Sequence, residues 1–218
     1  MESKNAPVCP TVKCYVTSRT FVDWLKIRFR PVICPMGTLV SFVKEGEKVG
    51  DVGCGSGQFA RVLAASRRPA GILGLEIDAG LVANARKMIE GTSNIPAKFD
   101  VFDGERFPDE LADLDVIFLN DVLHHIGTSK QQTFLKQLVQ KLRGGARLVL
   151  KDIDADSLLV VFNKLHDKLL SGDGGGNEIG CRRAIDMLGS VGLEVISVVT
   201  ERRWWYPHYI VECRKRTA

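Results

Sequence analysis

The sequence predicts a doubly wound α/β fold, built on one mostly parallel sheet of seven strands. Three observations lead there. From about Lys48 onward, short apolar runs alternate with longer segments whose apolar residues recur every three or four positions, as βαβ units require. The segment KVGDVGCGSGQFARVL sets a glycine-rich turn directly between an apolar run and a helical pattern. With 218 residues, 45% of them hydrophobic and 26% charged, the chain has the size and composition of one globular domain with one sizeable core.

In chain order, the first strand is expected at Lys48 to Val52 and the first helix at Gln58 to Ser66, with glycines 53, 55 and 57 between them. A strand at Gly71 to Ile77 and a helix at Ala79 to Glu90 repeat the unit, and a third strand follows at Ala97 to Phe102. The fourth strand, Leu114 to Asn120, leads to a helix at Lys130 to Leu142 on which Phe134, Leu135, Leu138 and Leu142 share one face. Beyond the fifth strand, Ala146 to Asp152, come helical patterns at Ser157 to Ser171 and Arg182 to Val191, then strands at Leu193 to Glu201 and Tyr209 to Arg214. Gly71, Gly144, Gly145 and Gly192 fall just beyond apolar-periodic segments, where a left-handed C-cap is wanted. The stretch SGDGGG, Ser171 to Gly176, cannot pack side chains and reads equally as a hinge beside a site or as a plain connection.

Composition narrows the function classes. The net charge of +4 is too mild for a nucleic-acid footprint over the whole surface. No run of about 18 uncharged apolar residues offers a membrane span, and Met1 to Pro10 shows no apolar stretch of signal-peptide length. A cytoplasmic address is the expectation. Six scattered cysteines read as free thiols, and Cys9 and Cys14 have no second Cys or His pair nearby to complete a zinc site.

The glycine turn is where chemistry enters. Glycines between a strand and a helix let the main chain approach a ligand while the helix N-terminus offers unpaired N–H groups. A tight turn would explain the glycines alone, but Glu76, 19 residues beyond Gly57 at the end of the next strand, stands where a carboxylate accepts hydrogen bonds from ribose hydroxyls. A dinucleotide fingerprint wants GxGxxG, whereas Gln58 makes the spacing here GxGxG. An NAD-dependent oxidoreductase is therefore the weaker alternative.

DVGCGSG followed by GLEID resembles the first motif and acidic partner of the class I S-adenosylmethionine-dependent methyltransferases, small-molecule type. The likeness runs from about Gly37 to the C-terminus: FDVFDGERFP, LDVIFLNDVLHHI, LRGGARLVLKDID and SVVTERRWWYPHYIVECRK resemble successive family segments, the last being an antiparallel pair of closing strands. The resemblance implies S-adenosylmethionine as cofactor, with contacts at Asp51, Gly53, Gly55, Gly57, Glu76, Asp103 and Asn120. Glu76 would hold the ribose diol, Asp103 the adenine amino group, and the three glycines the methionine end. Gly50 departs from the family, which usually has a large apolar residue there; a glycine inside a strand admits a close neighbour. The expected division is a helical lid at 1–36 and a methyltransferase domain at 37–218.

The acceptor is less legible. No Asn or Asp followed by Pro-Pro and an aromatic follows the fourth strand, so a small, partly apolar molecule is expected and nucleic acid is not. His125 and His166 are the candidate general bases, although the family resemblance makes pocket shaping the commoner role for His124 and His125. His208, in WWYPH, reads as packing or lid. Asp121, Asp152 and Asp154 bear some likeness to the magnesium site of catechol-type enzymes, but the Asn expected beside the second Asp is missing, so no metal is expected. The segment RTFVDWLKIRFRP, Arg19 to Pro31, reads as a lid helix with snorkelling basic side chains, with contact to a membrane surface or anionic carrier as its alternative. The pocket is expected between Asn120 to His125, the helix carrying His166, Trp204 to His208 and the segment near Trp24. The expected activity is methyl transfer; a noncatalytic module that keeps the cofactor fold is the other alternative.

Overall fold

The computed structural model describes residues 33–92, 94–156, 177–203 and 206–217. Its elements in order are α1 (Met36–Ser41), β1 (Lys48–Val52), α2 (Gln58–Ser66), β2 (Gly71–Glu76), α3 (Ala79–Ile89), β3 (Ala97–Val101), β4 (Val116–Asn120), α4 (Thr128–Lys141), β5 (Arg147–Ile153), α5 (Cys181–Ser190), β6 (Leu193–Arg203) and β7 (Tyr206–Lys215). Short 3-10 turns at Asp109–Asp113 and Leu123–His125 flank β4. The seven strands form one sheet in the order β3-β2-β1-β4-β5-β7-β6. β1 to β5 pair in parallel, while β7 inserts antiparallel between β5 and β6.

Because side chains alternate across a strand, the sheet carries a core on each side. Leu75, Ile117, Leu119, Leu148 and Leu150 pack under α4 and α5, and Val49, Phe118, Val149 and Ile210 pack under α1, α2 and α3. Gly50 belongs to the first of these faces. A Cβ there would lie 2.7 Å from Leu114 Cδ1 and 3.4 Å from Ile117 Cγ1, so the missing side chain is replaced by Leu114. α1 is strapped to the second face by its flanks: Arg147, with its side chain 8% exposed, donates to the Phe42 carbonyl at 2.9 Å while forking onto Glu47 (2.6 Å) and Glu212 (2.7 Å). Buried charge at such a fork is tolerable because both carboxylates pair with it.

Of the four glycines expected as left-handed caps, Gly145 and Gly192 have positive φ, at 81° and 92°. Gly71 opens β2, and Gly144 has no positive φ. The helix expected at Ser157 to Ser171, the SGDGGG stretch, Trp24, His166 and Trp204 lie outside the described residues. So does most of the expected 1–36 segment; α1 straddles its proposed boundary.

Candidate active site

The site begins at the turn after β1. Gly53, Gly55 and Gly57 have φ of 78°, 53° and 75°, a region side-chain-bearing residues enter at a cost, so the loop can curl only with glycines. Space demands the same: a Cβ on Gly53 would lie 2.5 Å from Val122, and one on Gly57 would lie 2.9 Å from the Ala85 backbone of α3. The N–H groups of Gly53 and Cys54 both donate to the Leu75 carbonyl, at 2.7 and 3.1 Å, tying the loop to the end of β2.

There Glu76, 9% exposed, organises what surrounds it. Its Oε2 accepts from Gly55 N at 2.9 Å, and its Oε1 accepts from Ile77 N at 2.8 Å and Asp78 N at 3.3 Å. Asp103 stands in the turn after β3. Its Oδ1 accepts from Glu105 N and Arg106 N at 2.9 and 2.7 Å and its Oδ2 from Arg106 Nε at 2.7 Å, which holds its carboxyl down at about 2. Asp51 and Asn120, 2% and 5% exposed, meet at the ends of β1 and β4, with Asn120 Nδ2 donating to Asp51 Oδ1 at 3.5 Å. The Asn120 Oδ1 is buried with no hydrogen-bond partner among the described residues. An orphaned amide oxygen beside a buried carboxylate suits a ligand with a cationic amine, whose protons need acceptors. Both line a cleft with Cys34, Gly53 and Gln58, to which α1 contributes Met36 and Leu39.

A second polar group occupies the ends of β4 and β5. Lys151, 1% exposed, reaches Asp121 Oδ1 at 2.5 Å. His124 Nδ1 lies 2.6 Å from Oδ1 of Asp152, itself 2% exposed, and the His124 backbone N–H donates to Asp152 Oδ2 at 3.3 Å. Burial alone would lower the His124 pKa, but the Asp152 and Asp121 carboxylates overcome it and raise it to about 9, leaving an imidazolium at neutral pH. Asp121, His124 and Asp152 bring one ligand atom each within 4.8 Å of one another. Their charges are already matched by Lys151 and by the His124 proton, so the donor set is an ion-pair network. Cation binding there would displace both.

Every predicted cofactor residue inside the described segments thus lies at the carboxyl edge of β1 to β4. His125 is exposed at the end of its 3-10 turn, its ring 4.1 Å from that of His124. Sequence reasoning missed the His124–Asp152 pair and Lys151. The only sequence signal was a Lys and an Asp in adjacent positions at the end of an apolar run.

The fold is that of class I methyltransferase domains, and the glycine turn with Glu76 resembles theirs. Residues 50–150 match the family model described as Methyltransferase domain, whose cofactor is S-adenosylmethionine, and the donor set just described fits that molecule. Among solved structures, a magnesium protoporphyrin IX methyltransferase from Synechocystis PCC 6803 with bound S-adenosylhomocysteine superposes with a TM-score of 0.70, at 19% identity over 93% of this chain and 91% of that one. An S-adenosylmethionine-dependent methyltransferase from Aquifex aeolicus gives 0.68 at 19% identity, over 88% and 95% of the two chains. The cyclase SpnF gives 0.67 at 16% identity, over 83% and 80%. At these identities the likeness is one of fold. No curated protein matches the chain. Among the described residues, no helix is long and apolar enough to cross a membrane.

Proposed function

We propose that this protein transfers the methyl group of S-adenosylmethionine to a small, partly apolar acceptor bound at the carboxyl edge of β4 and β5. The observation that carries the reading is the pairing of the glycine turn and Glu76 on one side with the unsatisfied Asn120 Oδ1 beside Asp51 on the other. In this reading Asp51 and Asn120 accept from the cofactor's ammonium, the backbone of Gly53, Gly55 and Gly57 follows its methionine part, Glu76 turns its carboxylate to the ribose diol, and Asp103 faces the adenine amino group. The sulfonium makes the methyl electrophilic without help, so the protein's work is alignment for in-line displacement and exclusion of water. His125 and His166 are the bases the sequence offers for a protonated acceptor.

Thermal-shift titration with S-adenosylmethionine, S-adenosylhomocysteine and NAD tests the cofactor assignment, because a ligand that binds only the native state raises its melting temperature. A rise with the first two and none with NAD is expected. Acceptor-dependent release of S-adenosylhomocysteine then separates an enzyme from a noncatalytic module, a necessary step because one fold hosts many chemistries.

A further inference from the structure

The face of the sheet that holds the cofactor cradle carries two more buried polar groups. Val49, Phe118, Val149 and Ile210 all pack into the core beneath α1 and α2. Asp51, Asn120, Lys151 and His208 each lie two positions from one of them on the same strand, so they project to that face too. In register, Asn120 sits beside Lys151, and His208 beside Ile153. A polar row therefore runs along the carboxyl edge from Asp51 to His208.

His208 is 4% exposed, and its Nε2 lies 2.8 Å from the Ile33 carbonyl oxygen. A carbonyl only accepts, so Nε2 carries the proton and Nδ1 is left as a bare lone pair. That Nδ1 is buried and has no hydrogen-bond partner among the described residues, a state protein interiors rarely tolerate without a reason. Lys151, the register partner of Asn120, spends one of its three N–H groups on Asp121.

We infer that His208 Nδ1 is the atom that receives the O–H or N–H of the methyl acceptor, with Lys151 on the neighbouring strand of the same face, so that the acceptor is a neutral alcohol, phenol or aromatic amine rather than a free carboxylate. This rests on the methyl-transfer reading above. As a lone pair of the acceptor oxygen or nitrogen bonds to the methyl carbon, the carbon–sulfur bond breaks and its electrons stay on sulfur. The acceptor's proton passes to Nδ1, giving an imidazolium whose Nε2–H still binds Ile33, and then leaves to water. Burial, and the nearby Lys151 charge, hold His208 down at about 4, against the opposing pull of Asp121, Asp152 and the Ile33 carbonyl. The lone pair is thus available at any ordinary pH. So weak a base suffices for an alcohol or phenol, because an oxygen that has gained a methyl before losing its proton is an oxonium, far more acidic than imidazolium, and for an aromatic amine, whose methylated cation is about as acidic as this imidazolium.

Two variants of the full chain separate this role from the strap to Ile33. In His208→Gln the amide N–H can still reach the Ile33 carbonyl, with nothing at the Nδ1 position. In His208→Asn the amide oxygen takes the place of Nδ1 and the bond to Ile33 is lost. The probes are 4-substituted phenols, benzyl alcohol, aniline, anisole and benzoate, with S-adenosylhomocysteine release as the readout. Turnover of O–H or N–H probes is expected, with a loss of about a hundredfold in kcat for both variants at unchanged S-adenosylhomocysteine affinity, and with H208N, whose amide oxygen can accept the acceptor's hydrogen bond but not its proton, keeping the parent's KM for phenol. An H208Q protein within about threefold of the parent, or benzoate methylated as readily as phenol, overturns the inference. If no probe turns over, nitrogen-15 spectra of the histidines in the S-adenosylhomocysteine complex decide: Nδ1 of His208 must shift with phenol, benzyl alcohol or aniline and not with anisole, and the absence of such a shift overturns it. A parent protein that binds no S-adenosylhomocysteine overturns the methyl-transfer reading instead.

Discussion

Single residues show most directly how backbone geometry becomes binding. Gly55, at φ 53°, donates its N–H to Glu76, and a β-branched side chain there strains the loop and, in the proposed reading, intrudes on the cofactor. Gly55→Val is expected to fold with its circular dichroism unchanged and to lose measurable S-adenosylhomocysteine binding; unchanged affinity would remove the loop from the site. Glu76→Ala loses a buried charge-assisted acceptor and the tether on Gly55, so calorimetry should show affinity falling about ten- to a hundredfold. Asp103 is a different case. Its carboxylate is 41% exposed and already shared with Arg106, where water screens added contacts, so Asp103→Ala is expected to cost only about three- to tenfold. A loss below threefold in either variant would take that residue out of the cofactor contacts.

At the scale of elements, hydrophobic period and glycine spacing placed the described strands and helices, with most ends displaced by a residue or two. The helix Gln58–Ser66 and strand Lys48–Val52 fall where the pattern places them, because buried faces impose their own periodicity on the sequence. α1 escaped, since six residues after Pro35 are too few to show a period. β7 runs three residues earlier than its apolar stretch suggests, beginning at Tyr206, because Pro207 and His208 pair with Arg202 and Glu201 of β6. Packing between elements yields its own test. A Cβ on Gly74 of β2 would sit 2.4 Å from the Phe99 ring and 3.0 Å from Cys54 Sγ, so neither neighbour can yield without disturbing β3 or the glycine turn. Gly74→Ala should lower stability by about 1–3 kcal/mol, the usual cost of overpacking, measured as a lower urea midpoint; an unchanged midpoint would mean that β2 and β3 are looser than their register implies.

For the whole molecule, two histidines set opposite limbs of the pH dependence. His124, raised to about 9, binds its proton more tightly folded than unfolded, so its contribution is fully present below about pH 6.5 and is lost as pH rises toward 9. His208, lowered to about 4, resists protonation in the fold, so its contribution is present above about pH 6.5 and is lost as pH falls toward 4. Stability should therefore peak near neutrality, and urea unfolding of His124→Gln should lack the alkaline limb while keeping the acid one. A parent profile that is flat from pH 6.5 to 9 would contradict the His124–Asp152 pairing.

By itself the sequence determined the α/β order, the glycine turn, the acidic partner at Glu76 and the class of cofactor, because each depends on residues near one another in the chain or on a period that burial repeats. Only the tertiary structure decided which histidine holds Asp152, where Lys151 finds its counter-charge, why Gly50 can be a glycine, and that His208 faces the same side as Asn120. These depend on strand order and register, which bring together side chains far apart in the chain, such as His124 with Asp152, Asp121 with Lys151 and Lys151 with His208. Hydrogen-bond partners and desolvation act through space, and no local pattern in the chain records them.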